Sequence, residues 1–312
     1  MYVEKMKYQS GLPLKYFLHH LGIGKSKYFC WVNRLGRKNF HNGCMPRYFW
    51  IAPQEKDAIL AYCREKLQEG YRRLTYMMLD EDIAWVSPST TYRVLKSAGL
   101  LQRWSQPRKN SKGNGFVQPD GPNKHWHIDI SYINVCGSFL FLIVILDGYS
   151  RKVIHHELRT QMAQYDVQIT IERALEKYPD AKPHLISDNG KQFKAKELKE
   201  YLRECGLKQI FTSLYYPQSN GKLERFNQTV KNEAVRKQSY LSIEDARNQI
   251  QAYIEYYNTV RLHSAIYYVT PEDMFSGKAR TILNTRQEKL DKARKIRRNN
   301  TLNQSAEKSI SR

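Results

Sequence analysis

Cysteines and long apolar runs are both scarce in this sequence. Its 5 cysteines among 312 residues are an odd number at wide spacings without a Cys-x-x-Cys pair, which argues against a disulfide framework. The longest apolar run, residues 139–146, is far too short to span a bilayer. The charged N-terminus lacks the apolar core of a signal peptide. We therefore expect a soluble protein of a reducing, cytoplasmic compartment, with no membrane partner.

Acidic residues are scarce at both ends of the chain. Residues 1–120 carry 20 Lys and Arg against 9 Asp and Glu, and residues 278–312 carry 11 against 3. Residues 121–277, in contrast, carry 20 against 18. Basic flanks are typical of polyanion binding that is largely independent of sequence and sensitive to salt. We therefore expect nucleic acid as the partner of the flanks, and the balanced middle segment is the candidate for chemistry.

Two aspartates in the middle segment lie on predicted strands. Residues 125–133 alternate apolar and polar side chains at period two, as strands do, and Asp129 falls on the polar side. Asp188 ends the apolar run 184–188, and the Asn-Gly pair that follows predicts a turn. The predicted sheet therefore carries two carboxylates.

A third carboxylate, Glu224, lies on a predicted basic helix. Residues 217–221 have turn chemistry, so the helix should begin near Lys222 and run to about Lys237. The apolar stripe of this helix, with spacings of three and four, consists of Leu223, Phe226, Val230 and Ala234. Glu224 and Lys231 are two turns apart on another face and point the same way. A carboxylate beside a lysine suits a site for metal-bound phosphate.

Carboxylates on two strands and a helix form the ligand set of hard divalent cations, which take oxygen ligands and leave positions open for phosphate oxygens. Two such ions about 4 Å apart can activate an attacking oxygen and stabilise a leaving one. A lone helix glutamate is usually only solvated. It is the joint occurrence of the three carboxylates that favours a metal site.

The three carboxylates resemble the signature of transposases with a retroviral-integrase-like core. That signature has two aspartates and then a glutamate 35 residues further on, and 35 residues separate Asp188 from Glu224 here. Pro-Gln-Ser-Asn-Gly at 217–221 and Lys231, seven residues beyond the glutamate, also match. The resemblance covers residues 124–275 and is to insertion-sequence transposases of bacteria.

The resemblance implies a DNA transposase with an α/β fold, a ribonuclease-H-like mixed sheet with flanking helices. Such an enzyme cleaves the ends of its element and joins the freed 3'-hydroxyl to target DNA by hydrolysis and transesterification of phosphodiesters. Asp129, Asp188 and Glu224 would be the catalytic residues and would hold two Mg²⁺ or Mn²⁺ ions, with Asp129 bridging both. Lys231 would contact DNA. The expected partners are element ends, target DNA and further copies of the chain at the bacterial nucleoid, without a small-molecule cofactor.

The first basic flank contains a candidate helix-turn-helix. Residues 12–35 predict two helices about a Gly-Ile-Gly turn, a pattern that also fits an ordinary helical hairpin. His19, His20, Cys30 and Cys44 are the residues to weigh for an N-terminal zinc site of the kind that retroviral integrases carry. Their spacing is not that of structural zinc sites. We interpret all four as structural residues.

A second unit follows a helix predicted over residues 53–69. Two more helices are expected over 72–82 and 89–98, because Ser87 is a favourable N-cap and Gly99 a C-terminal stop. This unit resembles the helix-turn-helix segments that precede the catalytic core in insertion-sequence transposases. The residues of its last helix that would be available to DNA are Thr91, Arg93 and Lys96.

Composition divides the chain into five segments. Prolines, glycines and basic residues between 103 and 123 mark a linker. The expected segments are a possible first helix-turn-helix at 1–50, a helix-turn-helix DNA-binding region at 51–102, the basic linker at 103–123, an integrase-like core at 124–277 and a basic tail at 278–312. The tail is expected to be a helix that frays into disorder.

Two other functions stay open. A core that has lost activity could serve as the scaffold of a DNA-binding protein, although such a core has no need of intact carboxylates. A nuclease of the same fold could cut without joining, although two helix-turn-helix candidates favour a protein that locates defined DNA ends.

Gly148 and His127, both in the middle segment, each allow more than one interpretation. Gly148 stands where related transposases are expected to have a bulkier residue, which leaves the turn between the second and third strands in question. His127 could touch the substrate, but a hydrogen-bonded strand histidine is the simpler interpretation.

Overall fold

A computed structural model describes residues 2–36, 51–101, 118–135, 137–212, 221–237 and 239–310. The chain forms two compact units, one of residues 1–50 with 298–312 and a larger one of residues 51–297. Within the described residues, no helix is both long and apolar enough to cross a membrane.

The smaller unit begins with three short helices, α1 (Tyr2–Ser10), α2 (Leu14–His20) and α3 (Lys25–Asn33). The last two lie where the sequence predicts a helical pair, and Gly22 between them has a left-handed backbone (φ 63°) that suits glycine. Helix α2 buries Leu18, whereas α1 and α3 bury no residue. Cys44, one of the four residues weighed for a zinc site and interpreted as structural, lies outside the described residues.

The larger unit begins with the helix-turn-helix module, which consists of α4 (Pro53–Glu65), α5 (Tyr71–Asp80) and α6 (Pro88–Ser97). Its own apolar core includes Ile59, Leu74, Met78 and Leu95. The hydroxyl of Ser87 caps α6 by accepting from the backbone N–H of Thr90, as its position predicts. Burial of these periodic apolar residues explains why three short helices hold together.

A five-stranded mixed sheet forms the centre of the larger unit. Its strands are β1 (His125–Val135), β2 (Ser138–Asp147), β3 (Val153–Arg159), β4 (His184–Ser187) and β5 (Lys208–Phe211). They lie in the order β3-β2-β1-β4-β5. The β1–β2 and β2–β3 pairs are antiparallel, and the β1–β4 and β4–β5 pairs are parallel. The predicted mixed sheet is thus confirmed.

Helices cover both faces of this sheet. They are α7 (Gln164–Lys177), α8 (Lys191–Lys194), α9 (Lys196–Glu204), α10 (Gly221–Glu233), α11 (Ile243–Thr259) and α12 (Pro271–Phe275), and α13 (Ala279–Ile310) follows them in the chain. Alternation along β1 sends Ile128 into a cluster with α7 and α9, and Ile133 into a cluster with α10 and α11. The sheet is therefore buried on both sides.

The turn between β2 and β3 depends on Gly148. A Cβ at this position would lie 3.1 Å from the backbone oxygen of His125 and 3.1 Å from Nε2 of His127. The backbone N–H of Gly148 donates to the same His125 oxygen at 2.8 Å. A side chain here would be in close contact with β1, so the unexpected glycine is compatible with the predicted strands.

The C-terminal segment is helical, as its sequence predicts. Helix α13 extends from Ala279 to Ile310. Three of its cations, Arg286, Lys289 and Arg297, are paired with carboxylates of the helix-turn-helix module. These ion pairs give the segment partners that its local sequence does not reveal.

Candidate active site

Strand β1 positions Asp129 in the middle of the sheet. Both carboxylate oxygens are held: the backbone N–H of Ile130 donates to Oδ1 at 2.9 Å, and the side-chain amide of Asn227 donates to Oδ2 at 2.9 Å. Because Asn227 lies on α10, its hydrogen bond also fixes that helix against β1.

The parallel pairing of β1 and β4 brings Asp188 to the same part of the sheet. His127 is the partner of Ile186 in this register, and each aspartate lies two residues beyond its member of the pair. Parallel neighbours advance in the same direction, so the two carboxylates emerge near each other. The backbone N–H of Gly190 donates to Oδ1 of Asp188 at 2.9 Å, which orients this carboxylate at the start of the predicted turn.

Glu224 lies in the first turn of α10, on the exposed side of the helix. The predicted stripe of Leu223, Phe226 and Val230 is buried and packs α10 on the sheet. The helix begins at Gly221 and ends at Glu233, followed by a 3-10 turn, Val235–Lys237. The predicted bounds are thus correct within a few residues.

The three carboxylates interact electrostatically. Burial, together with the negative charges of Asp188 and Glu224, raises the pKa of Asp129 to about 6, against the hydrogen bonds from Ile130 and Asn227. Burial disfavours the ionised form, and like charges nearby do the same. The site therefore concentrates negative charge that a cation would relieve.

The donor set fits a hard divalent cation, because it offers carboxylate oxygens alone. Within the described residues, no three His, Cys, Asp or Glu side chains are already gathered closely enough to hold an ion. The side chain of Glu224 is exposed.

Lys231 and His127 differ in their access to this site. Lys231 is half-buried near the end of α10, one turn beyond Asn227 and two turns beyond Glu224, so all three share one side of the helix. His127 is fully buried, and burial lowers its pKa to about 3, so its ring is neutral at physiological pH. The interpretation of His127 as a strand residue rather than a substrate contact agrees with this burial.

One residue of the site, and one contact between α10 and the turn after β2, were not predicted. Asn227 holds Asp129, and its place on the same helical face as Glu224 and Lys231 was the signal that could have found it. Lys222 donates from Nζ to the backbone oxygen of Gly148 at 2.9 Å, and burial lowers its pKa to about 8. Its partner is a backbone atom of a distant turn, which no local pattern of residues reveals.

Thr91 corrects one prediction for the helix-turn-helix module. Its side chain is fully buried, and its hydroxyl shares a hydrogen bond of 2.8 Å with that of Thr75 on α5. It is therefore not available to DNA. Arg93 and Lys96 are exposed on α6, and their contact with DNA stays a prediction.

Comparison with known proteins relates the chain to a class of proteins. Two families, both described as Integrase core domain, match residues 119–217 and 205–271. The simian T-cell lymphotropic virus intasome in complex with PP2A regulatory subunit B56 gamma has a chain 15% identical, with a TM-score of 0.47, covering 70% of this chain and 74% of that one. The HTLV-2 integrase catalytic core domain in complex with magnesium is 19% identical, with a TM-score of 0.41, covering 50% and 98%.

Proteins of similar sequence define the family more closely. The transposase for insertion sequence element IS904 of Lactococcus lactis is 30% identical over 55% of this chain and 72% of its own length. The putative transposase InsK for IS150 of Escherichia coli is 28% identical over 67% and 78%. The chain belongs to the insertion-sequence transposases with an integrase core domain. The predicted ribonuclease-H-like fold and the predicted activity, DNA transposition by polynucleotidyl transfer, are thereby confirmed.

Proposed function

We propose that Asp129, Asp188 and Glu224 are the catalytic residues of this transposase. At their site water cuts a phosphodiester at the element end, and the freed 3'-hydroxyl then attacks target DNA. The observation that supports this proposal is the effect of Asp188 and Glu224 on the pKa of Asp129. Residues from strand β1, the loop that follows β4 and helix α10 thus share one electrostatic site in a chain of the transposase family.

The same three carboxylates would hold the cofactor, two Mg²⁺ or Mn²⁺ ions. When bound, such ions supply Lewis acidity to the attacking and leaving oxygens. Asn227 and the N–H of Ile130 orient the carboxylate of Asp129, and the N–H of Gly190 orients that of Asp188. Lys231 binds a DNA phosphate near the cut, because its ammonium carries positive charge on the helical face of Glu224.

DNA is the partner on which the rest of the chain acts. Arg93 and Lys96 of α6 are exposed and supply cations to the element end, where phosphate contacts position the protein. Two element ends must be joined to one target, so a homo-oligomer on DNA at the bacterial nucleoid is the working form.

Substitution of Asp188 by Asn tests the proposal. It removes one ligand charge at the site and leaves the helix-turn-helix module untouched, so cleavage and joining should be lost while end binding stays nearly intact. Asp180→Asn, an exposed aspartate after α7, is the matched control. Gel shift, cleavage and strand-transfer assays with Mg²⁺ are run on the same preparations.

The assays also separate the competing functions. Comparable cleavage by Asp188→Asn and the parent protein would refute the catalytic site. Cleavage by the parent without any joined product would favour a nuclease, and end binding without cleavage would favour an inactive scaffold.

A further inference from the structure

One side of α13 is occupied by the helix-turn-helix module. Arg286, Lys289 and Arg297 lie on this side together with Ala293, which is buried, because their spacing returns to the same face of a helix. All three cations bind backbone or carboxylate oxygens of the module. These three cations belong to a basic segment for which the sequence suggests polyanion binding. In the structure they bind the helix-turn-helix module instead.

Arg286 is the centre of this contact and is only 3% exposed. Its guanidinium holds both oxygens of Asp80, with Nε to Oδ1 at 2.8 Å and Nη2 to Oδ2 at 2.6 Å. It also donates to the backbone oxygens of Tyr267 at 3.4 Å and Tyr268 at 2.8 Å. Asp80 ends α5, whereas the two tyrosines belong to the core loop before α12. One side chain therefore joins the module, the core and α13.

Aromatic contacts support the same junction. The rings of Tyr76 on α5 and Tyr268 are stacked, with centroids 4.8 Å apart and planes at 22°. The guanidinium carbon of Arg286 lies 4.9 Å from the centroid of Tyr76. Tyr267 and Tyr268 both have left-handed backbones, φ 61° and 58°, which is uncommon for residues other than glycine. The loop therefore has an uncommon backbone conformation at both tyrosines. Arg286 binds the backbone oxygens of these same two residues.

Two further cations of α13 hold the module around the turn that leads into α6. Lys289 Nζ donates to the backbone oxygen of Leu79 at 2.7 Å and pairs with Asp82 at 2.6 Å. Arg297 pairs with Glu55 near the start of α4 at 2.5 Å and donates to the backbone oxygen of Trp85 at 2.8 Å. These contacts leave Arg93 and Lys96 of α6 exposed.

The module and the core are not packed together throughout. A cleft of about 590 Å³ separates them, lined by Met77 and Glu81 of the module and by Tyr256 and Val260 of the core, among others. Direct packing across this cleft is therefore incomplete. The contacts made through α13 bridge the two parts beside it.

We propose that α13 is a splint that fixes the helix-turn-helix module on the catalytic core, with Arg286 as its positioning residue. The splint sets the distance along DNA between the sequence bound by α6 and the phosphodiester that is cut. This inference rests on the proposed function, because it requires a module that binds DNA and a core that cuts it. If the module is fixed on the core, only one distance on DNA between the bound sequence and the cleavage position allows efficient cleavage. If the module is flexibly tethered, several distances allow it.

The test uses the full-length protein and duplexes that carry one element end. Insertions of about 5 and about 10 base pairs, half a turn and one turn of B-DNA, are placed between the footprint of the module and the cleavage position. The parent should cleave the duplex with the native spacing about 100-fold faster than the duplexes with insertions. Small misplacements of reacting groups lower reaction rates by factors of this size. Arg286→Ala and Asp80→Asn should each reduce that ratio below about tenfold, with lower cleavage at the native spacing.

Three variants complete the design. Arg286→Lys keeps the positive charge but cannot hold both oxygens of Asp80. Its ratio of cleavage rates between the native and inserted spacings should therefore lie between those of the parent and Arg286→Ala. Glu288→Gln changes one exposed carboxylate on α13 and should discriminate like the parent. Asp80→Asn preserves the shape of the side chain, so it can test the proposal if Arg286→Ala fails to fold. Melting temperature and binding to the element end are recorded for every variant.

The outcomes are distinguishable. Folded Arg286→Ala or Asp80→Asn protein that keeps the spacing discrimination of the parent would overturn the splint. An equal loss of cleavage at all spacings would overturn it as well, because a positioning residue must change the ratio. Absence of cleavage by the parent on its native end would refute the proposed function, and the splint with it.

Discussion

The side-chain amide of Asn227 donates a hydrogen bond of 2.9 Å to Oδ2 of Asp129. This bond joins α10, which carries Glu224, to β1. The position of one candidate ligand relative to another therefore depends on a residue that carries no charge.

Asn227→Ala should lower cleavage by about 10- to 100-fold, because partners that orient metal ligands typically have effects of this size. Binding to the element end should change little, since the helix-turn-helix module is untouched. Cleavage rates across a Mg²⁺ titration measure the effect, with the exposed neighbour Gln228→Ala as the control. Equal activity of Asn227→Ala and the parent at every Mg²⁺ concentration would show that the amide does not position Asp129.

Asp129→Asn should stabilise the metal-free protein at neutral pH. The folded-state pKa of about 6 lies above the value of about 3.9 in an unfolded chain. Protonation of Asp129 therefore favours folding fully below about pH 3.9, and this contribution is lost as pH rises through 6. Above that range the ionised carboxylate costs about 3 kcal/mol, which the neutral amide removes.

Melting temperatures in a chelator, from pH 5 to pH 8, test this expectation. The gain of Asp129→Asn over the parent should grow with pH, and Mg²⁺ should raise the melting temperature of the parent more than that of the variant. Asp180→Asn serves as the exposed control. A gain that does not vary with pH would contradict the expected titration of Asp129.

Periodic patterns in the sequence predicted most of the fold. The apolar run 139–146 is continuous because it belongs to a buried strand, which spans Ser138–Asp147. Two helices, α8 (Lys191–Lys194) and α9 (Lys196–Glu204), adjoin each other. Ala195 between them has φ −58° and ψ 141°, an extended conformation that interrupts the helix and that no glycine or proline announces.

Long-range partners explain the rest. Thr91 was expected to face DNA because a helix of mixed polarity does not show which hydroxyl a neighbouring helix will bind. Arg286 was expected in a fraying basic tail, but it pairs with Asp80, 206 positions away along the chain. The local charge pattern contains no information on such a partner, whereas the carboxylates of the candidate site were found by their spacing and family resemblance.

Gly148→Ala should destabilise the larger unit by about 1–3 kcal/mol, the usual cost of forcing an extra methyl group into a packed site. The added Cβ would meet the backbone oxygen of His125 and the ring of His127 at 3.1 Å. Chemical denaturation measures the loss. At Gly121 a Cβ would meet only a lysine side-chain atom at 3.7 Å, so Gly121→Ala should be close to neutral. Equal stability of the two variants would show that the turn can shift to accept a side chain.

Thr91→Val and Arg93→Ala should separate stability from DNA binding in the helix-turn-helix module. Thr91→Val removes a buried hydrogen bond with Thr75 and should cost about 1 kcal/mol of stability. Arg93→Ala removes an exposed cation and should lower the salt dependence of end binding by about one unit of slope without a fall in melting temperature. Weaker DNA binding by Thr91→Val at unchanged stability would restore the threonine as a DNA contact.

Lys231→Ala should weaken strand transfer without unfolding the protein. The residue is half-buried, and it lies outside the buried stripe of Leu223, Phe226 and Val230. Loss of one phosphate contact should also lower the salt dependence of DNA binding by the core by about one unit of slope.

Lys231→Arg is the informative comparison, because it keeps the charge but replaces a compact ammonium with a planar fork. Its loss of strand transfer should be smaller than that of Lys231→Ala, and full activity is not expected. Strand-transfer rates and melting temperatures are measured for both variants and the parent, with Lys196→Ala, an exposed lysine on α9, as the charge-matched control. A loss in Lys231→Ala that only follows a fall in melting temperature, or transfer equal to the parent, would show that Lys231 is a solvated helix residue without a role at the candidate site.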